Sequence, residues 1–321
     1  MLQPMAGAND EPIRIFCGAD RSQRLAFRVL EHSIRAHRRR AIDIRAIDNG
    51  DAPTPADPRH AAYTEFSFAR FAIPALCSYT GKAIYMDSDM LVFADIGELW
   101  DTPFDGAKVL IEQGARSDPE QTAHARNRHA AVMLLDCAAL DWDVSEVVAR
   151  LGRDYDYNTL MALDPLLAPG EMREAIPRGW NDLDRYDPAR TRNLHFTEIR
   201  TQPWVSARHP HGALWVAALR RMLDAGVITS DEVREEVRLG FARPSLLIEL
   251  GLEPATEGGV SEKALAEHDH GLGFVAHAAL LERFAHRRRA IARAQRDAAA
   301  ARSRQFAWWP RLLYRLRYGA D

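Results

Sequence analysis

Apolar and polar positions fall into short blocks along the first two thirds of the chain, some with strand spacing and some with helical spacing. Ile13 to Phe16 is a short β-rich run that ends at Cys17-Gly18-Ala19-Asp20. RLAFRVLEHSIRAH follows, with Leu25, Phe27, Val29, Leu30 and Ile34 recurring at helical spacing. The block predicts strand, glycine turn, helix. AIDIRAI predicts a second strand, a loop rich in Pro, Asp and Gly spans Asp48 to Pro58, and FSFARFAIPALCSY predicts a helix. Lys82 to Met86, Lys108 to Glu112, the buried run Ala130 to Leu135 and Asn193 to Phe196 add strand candidates, and DVSEVVARLG is a short helix that stops at Gly152. This alternation predicts a mainly parallel α/β sheet. From Gly212 onward helical patterns dominate, in ALWVAALRRMLDAG, SDEVREEVRLG and HAALLERFAHRRRAIARAQRDAAAAR.

One stretch breaks its own pattern. In AIYMDSDMLVFADIGELW, Ala83 to Met86 read as a buried strand and Leu91 to Phe93 as another apolar segment, with Asp87-Ser88-Asp89 between them. Two like charges so close together among apolar neighbours are costly unless a cation or hydrogen-bond donors compensate. A lone Asp-x-Asp occurs by chance in many proteins, and a structural turn is its ordinary reading. Here the pair ends a strand, and residues one apart in a tight turn can converge on one hard cation such as Mg²⁺ or Mn²⁺. Ligands of open α/β sheets bind beyond the carboxyl ends of strands, where this turn and the turn after Phe16 both lie.

At 321 residues, with 47% hydrophobic and 27% charged content, the chain can bury a large core and has an ordinary soluble composition. Cys17, Cys77 and Cys137 are far apart in apolar surroundings, which suggests neither a disulfide framework nor a zinc ribbon and fits a reducing cytosol. Residues 1–12 show no signal-peptide pattern and read as a disordered tail; no apolar run approaches the ~20 residues that span a bilayer. The net charge of -3 hides an asymmetry. From Arg283 onward eleven arginines face only Asp297 and Asp321, +9 against -12 for the remainder.

The ordered combination IRIFCGAD, RVLEHSIRAH, FSFARFAIPALCSYTGKAIYMDSDMLVFADIGELW, GWN and LHFTEIRTQPW resembles the bacterial glycosyltransferases of family 8 over roughly Ile13 to Trp204. That family pairs an opening strand and nucleotide loop with an Arg-containing helix, a Tyr-x-Asp-x-Asp strand end, a Glu-Leu-Trp and a late His followed by Pro-Trp. The resemblance implies a GT-A fold, that is, a Rossmann-like mixed sheet, here with a helical C-terminal extension. It also implies a nucleotide-sugar donor, a divalent cation (Mn²⁺ or Mg²⁺) and transfer with retention of anomeric configuration. Residues 13–210 would be the GT-A catalytic domain, 211–282 a helical extension and 283–321 a basic aromatic tail.

Carried over by the resemblance, Asp87 and Asp89 match the metal-binding aspartates and His195 the late histidine; carboxylate and imidazole together suit Mn²⁺. A satisfied core histidine is the other reading of His195. Gly18, Ala19 and Asp20 match the nucleotide loop, and Asp20 with Ser22 also fits a helix N-cap; the two roles can coexist. Arg70 stands where a guanidinium reaches the diphosphate, or is an exposed helix-face Arg. Ser88 shares the Asp-x-Asp turn and counts with the donor contacts. Trp180 and Asn181 match a pair usually near donor or acceptor, although Trp180 also reads as core.

Departures from the family pattern mark other positions. His129 and Ala131 stand where Asn-x-Gly is common. Asp156 and Asn158 are the nearest echo of the Asp-Gln-Asp stretch that lies against the transferred sugar, and are the catalytic candidates. Gln202 replaces the usual Lys before Pro-Trp, with one extra residue after His195, so Arg200, Thr201 or Gln202 is expected to supply the phosphate contact.

The basic tail interleaves arginines with Phe306, Trp308, Trp309, Tyr314 and Tyr318, the composition of an interfacial anchor for anionic lipid. Nucleic acid is the rival partner and is not preferred; a helix packed on the body is the bland alternative. The expectation is a metal-dependent retaining hexosyltransferase using a nucleotide-diphosphate sugar, UDP-linked, on a glycan or glycolipid hydroxyl, cytoplasmic and peripheral on the inner face of the membrane. A non-catalytic, membrane-attached nucleotide-sugar binding protein and a sugar nucleotidyltransferase are the alternatives.

Overall fold

The computed structural model describes residues 11–55, 57–60, 64, 66–116, 129–255 and 259–318, without the side chains of Pro58 and of 303–318. Most of the expected tail 1–12 therefore lies outside the described residues. β1 (Ile13–Gly18) leads through a single 3-10 turn into α1 (Arg24–His37) and β2 (Ile42–Ile47). α1 buries Leu25, Val29, Leu30 and Ile34, the stripe its sequence spacing predicts. FSFARFAIPALCSY is not one helix: a 3-10 turn over Ala69–Ala72 precedes α2 (Ile73–Leu76). Pro74 lies in the first turn of α2, where its missing N–H costs nothing, and Ser78 and Tyr79 end the segment with φ of 54° and 53°.

The chain continues through β3 (Lys82–Asp87), β4 (Met90–Val92), α3 (Gly97–Trp100), β5 (Val109–Glu112), β6 (Val132–Asp136), α4 (Val144–Ala149), α5 (Tyr157–Met161), β7 (Met172–Ile176), β8 (Asp182–Leu183) and β9 (Asn193–His195). Six strands form the main sheet in the order β2-β1-β3-β6-β5-β7, and β4-β9-β8 form a second, small sheet. β1 pairs in parallel with β2 and β3, and β5 with β7, whereas β6 runs antiparallel to both β3 and β5. The sheet is therefore mixed where alternation of elements predicts mainly parallel pairing. An apolar run such as Val132–Leu135 fixes burial and carries no signal of strand direction. Along β3, Ala83 and Tyr85 pack into one core layer and Ile84 and Met86 into the other, so the strand is covered on both faces.

α6 (Gly212–Asp224), α7 (Ser230–Arg238), α8 (Ser245–Glu249), α9 (Glu262–Gly271) and α10 (Ala278–Tyr318) complete the chain. Trp215, Leu219 and Met222 of α6 share a core cluster with Leu25 and Val29 of α1, which docks the helical extension on the sheet. α7 opens with a reciprocal capping box between Thr229 and Glu232. α10 is one helix of 41 residues that crosses residue 283 without a break and continues through Pro310. A proline removes one backbone donor, which a long helix survives with a local bend. The fold is thus α/β, a Rossmann-like mixed sheet with a helical C-terminal extension, as the resemblance implies.

Candidate active site and metal centre

The registry of the main sheet sets Gly18, the last residue of β1, directly beside Asp87, the last residue of β3. Gly18 is needed for close approach: a Cβ there would lie 2.4 Å from Phe66 Cδ2 and 2.6 Å from the Tyr85 hydroxyl. That hydroxyl donates to Asp87 Oδ1 at 2.5 Å, and Arg70 Nη2 donates to the same oxygen at 3.2 Å. Arg70 is itself buried, stacked over the Tyr85 ring, and donates to the carbonyls of Ser67 and Ala130. Burial raises the Asp87 carboxyl above its ordinary range, Arg70 pulls it back, and the neighbouring Asp89 pushes it up again.

Between the two aspartates, the Ser88 hydroxyl turns inward and donates to Gln23 Oε1 at 2.7 Å. Ser88 and Asp89 form the bend that follows β3, and with Ser88 turned inward both Asp87 and Asp89 reach the same cavity. The second sheet brings the third group: β4 and β9 pair antiparallel with Met90 opposite His195, and Phe196 N donates to Asp89 O at 2.8 Å. His195 Nε2 then lies 3.1 Å from Asp89 Oδ1, and its Nδ1 is 2.9 Å from Asn181 Oδ1. The amide oxygen accepts, so Nδ1 carries the proton and Nε2 presents a lone pair. Asn181 is held in turn: Glu112 Oε1 accepts from the backbone N–H of Gly179 and Asn181 at 2.7 and 3.1 Å. One ligand atom from each of Asp87, Asp89 and His195 can be chosen so that all lie within 4.8 Å of one another. Asp89 Oδ1 is buried and makes no hydrogen bond among the described residues.

A cavity of about 630 Å³ takes in these three residues together with Arg70, Ala131, Asn158, Arg200 and Gln202. Leu280 and Phe284, from the first turns of α10, line it as well, with Phe66, Ile199 and Met161. Across this chain, residues 25–131 match the family model described as glycosyl transferase family 8. The match covers one third of the chain. It contains Arg70, Asp87 and Asp89 and stops before His195. Protein CDI of Arabidopsis thaliana is 32% identical over 139 residues, 40% of this chain and 54% of that protein, so the chain spans about half the length of this curated relative. The bifunctional glycosyltransferase WbbM aligns at 16% identity and a TM-score of 0.48 over 67% of this chain and 50% of its own. The galactosyltransferase LgtC, solved with donor and acceptor sugar analogues, aligns at 18% identity and 0.46 over 70% of this chain and 100% of its own.

Around the matched segment, the expected site residues separate into those on the cavity and those turned away. Arg70, Asp87, Asp89, Asn158, His195, Arg200 and Gln202 line it. Asp20 does not: its Oδ1 accepts from Ser22 N at 2.9 Å and from the Ser22 hydroxyl, an N-cap arrangement, while Arg283 of α10 approaches Oδ2 at 3.6 Å. Gly18 and Ala19 are covered beside it, and the Ser88 side chain is spent on Gln23. Trp180 is fully buried in the core, so its ring cannot meet an acceptor, and Asn181 acts on His195 instead. Asp156 caps α5 by accepting from Thr159 N and Oγ1, both at 2.8 Å, and so faces its own helix. Thr201 donates to Glu198 O. Gln202 donates to Asp89 Oδ2 at 2.8 Å, a contact to a metal-binding candidate that the family's Lys position did not suggest. His129 lies 3.1 Å from Ala162 O.

Tyr85, Gln23, Leu280 and Phe284 are site residues that sequence reading missed. Tyr85 had a signal, its i, i+2 relation to Asp87. Leu280 and Phe284 had only helical i, i+4 spacing, which any packed helix shows. Asn181→Ala is expected to weaken Mn²⁺ binding ~10-fold, because the ring loses the partner that sets its tautomer. Titration of Mn²⁺ followed by its electron paramagnetic resonance signal measures this, and an unchanged affinity would show that His195 is oriented by something else.

Proposed function

We propose that the protein is a divalent-metal-dependent glycosyltransferase that moves a hexosyl group from a nucleotide-diphosphate sugar, UDP-linked, to a hydroxyl of a glycan or glycolipid, with retention of configuration. The observation that carries this is the convergence of Asp87, Asp89 and His195 within one cavity that also holds Arg70 and Arg200. The group fits a cation such as Mn²⁺ or Mg²⁺: two carboxylates supply charge, an imidazole nitrogen is presented by its hydrogen-bonded partner, and one buried carboxylate oxygen lacks a donor. Such an ion supplies charge neutralisation for a departing diphosphate.

The remaining work falls to the chain. Arg70 and the Tyr85 hydroxyl hold Asp87 Oδ1, fixing that carboxylate against rotation. Arg200 is exposed on the cavity rim, and its guanidinium makes no hydrogen bond or ion pair among the described residues, which leaves it available for a charge-assisted contact to phosphate. Asn158 offers polar contacts for sugar hydroxyls, and Leu280 with Phe284 offers an apolar wall. With Asp156 engaged at the N-cap of α5, we assign no enzymic nucleophile; a front-face reaction, in which the leaving phosphate takes the acceptor proton, needs positioning above all.

The engagement of Asp156 also favours a second reading, a nucleotide-sugar binding protein without turnover. Asp89→Asn separates the two. The substitution keeps volume and removes charge, so in the enzyme it is expected to lower Mn²⁺-dependent donor turnover by ~100-fold or more while the fold persists. Near-normal turnover by the variant contradicts the metal-centred reading; donor binding without turnover in the unsubstituted protein favours the binding reading.

We further propose that residues 283–321 hold the protein on an anionic membrane surface. The support is compositional, since the side chains from 303 onward lie outside the described residues. No helix among the described residues is long and apolar enough to cross a membrane. Each Arg near an anionic surface contributes ~1 kcal/mol. A chain ending at Arg304 is expected to keep donor turnover and to lose salt-sensitive sedimentation with phosphatidylserine vesicles; equal sedimentation of the shortened and full chains contradicts the anchor.

A further inference from the structure

We infer that Gln202 is a positioning residue for the metal-binding carboxylate of Asp89, and that His277, at the entrance to α10, fixes which way the Gln202 amide points. The inference rests on the metal-centred reading above and names residues that reading does not use. Gln202 is 1% exposed. Its Nε2 lies 2.8 Å from Asp89 Oδ2 and 2.8 Å from the carbonyl oxygen of Phe196. Both of these atoms only accept, so the NH₂ group must face them, and the amide oxygen is forced to the opposite side. There it meets His277 Nε2 at 2.7 Å. Only a donor satisfies that oxygen, so His277 carries its proton on Nε2. Burial pushes the imidazole down to about 4, which keeps the ring neutral at physiological pH.

The consequence for Asp89 is geometric and electrostatic. One carboxylate oxygen is tied by the amide, and the other, Oδ1, is left without a hydrogen bond, 3.1 Å from His195 Nε2. The carboxylate cannot rotate Oδ1 out of the ligand group without giving up the Gln202 bond. An amide donor is uncharged, so Asp89 keeps its full charge for a cation, where an ammonium at the same distance would compete with it. His277 is held by the rest of the fold: its backbone is left-handed at φ 50°, an uncommon state for a residue other than glycine, and its ring meets Trp204 edge-on at 6.2 Å. If His277 is lost, the Gln202 oxygen has no donor, and a turned amide would set its lone pairs against Asp89. His277 therefore acts on the metal site through Gln202.

The test is Mn²⁺ affinity, read by electron paramagnetic resonance on the full chain, for the unsubstituted protein, Gln202→Met, His277→Asn and the double variant. Met keeps length without hydrogen bonds. Asn tolerates the left-handed backbone, yet its amide is too short to reach residue 202. Gln202→Met is expected to raise the Mn²⁺ dissociation constant ~10 to 100-fold, the usual effect of removing a partner of a metal ligand. His277→Asn should raise it by a smaller factor, and the double variant should match Gln202→Met alone, because removing the mediator removes the effect of what lies behind it. Unchanged affinity in Gln202→Met, or a double variant whose loss is the product of the two single losses, overturns the inference. Should Gln202→Met fail to fold, unchanged affinity in His277→Asn overturns it equally. No Mn²⁺ binding by the unsubstituted protein would bring down the metal-centred reading itself, and the inference with it.

Discussion

The structure around the cavity depends on one constraint: two carboxylates, two residues apart at the end of a buried strand, point the same way. The bend at Ser88-Asp89 that follows β3, with Ser88 tied inward to Gln23, brings Asp87 and Asp89 onto one cavity. Like charges this close in a poorly solvated place are unfavourable unless something answers them. For Asp87 part of the answer is internal, from Arg70 and Tyr85. For Asp89 it is a neutral amide on one oxygen and a histidine nitrogen near the other. The remaining demand is what makes a cation the natural occupant.

Each answering group arrives from a different part of the chain, and the fold is the means of delivery. Arg70 comes from the turn before α2, His195 from the three-residue strand β9, and Asn181 from a loop fastened to Glu112 of β5. Burial raises the Glu112 carboxyl to about 7, against the pull of the backbone donors of the same loop. The C-terminal helices take part too. α10 places Leu280 and Phe284 on the cavity, Arg283 near Asp20, and Arg287 over the ring of Tyr157. The extension is thereby a wall of the site as well as an appendage to the sheet.

Much of this was legible from the residues. α1 lies where its apolar spacing places it, and the interruption of an apolar run by Asp87-Ser88-Asp89 is itself the sign of a charge problem. What escaped has physical reasons. Strand direction is not written in a run such as Val132–Leu135, so the reversed β6 and the mixed sheet could not be read from it. β4 and β8 are too short to show a period, although β4 is what pairs with His195. Motif position suggested that Trp180 faces a ligand, but an indole next to Gly179 packs inward as readily as outward, and it fills the core. Asp156 stands three residues before Thr159, whose backbone N–H and hydroxyl both donate to it, so a local N-cap holds it. Family spacing sets Gln202 against phosphate; its contact with Asp89 and His277 depends on two segments far apart in sequence.

The central claim is that the Asp87, Asp89 and His195 group holds a divalent cation that the chain needs to break the bond between a sugar and a nucleoside diphosphate. The most direct measurement is release of nucleotide from a panel of nucleotide-diphosphate sugars by the full chain, in Mn²⁺ and in excess chelator. The account predicts release from at least one UDP-linked sugar in Mn²⁺, its loss on chelation and its return when Mn²⁺ is added back. Release that continues unchanged in chelator, or no release from any donor at saturating Mn²⁺, would contradict it.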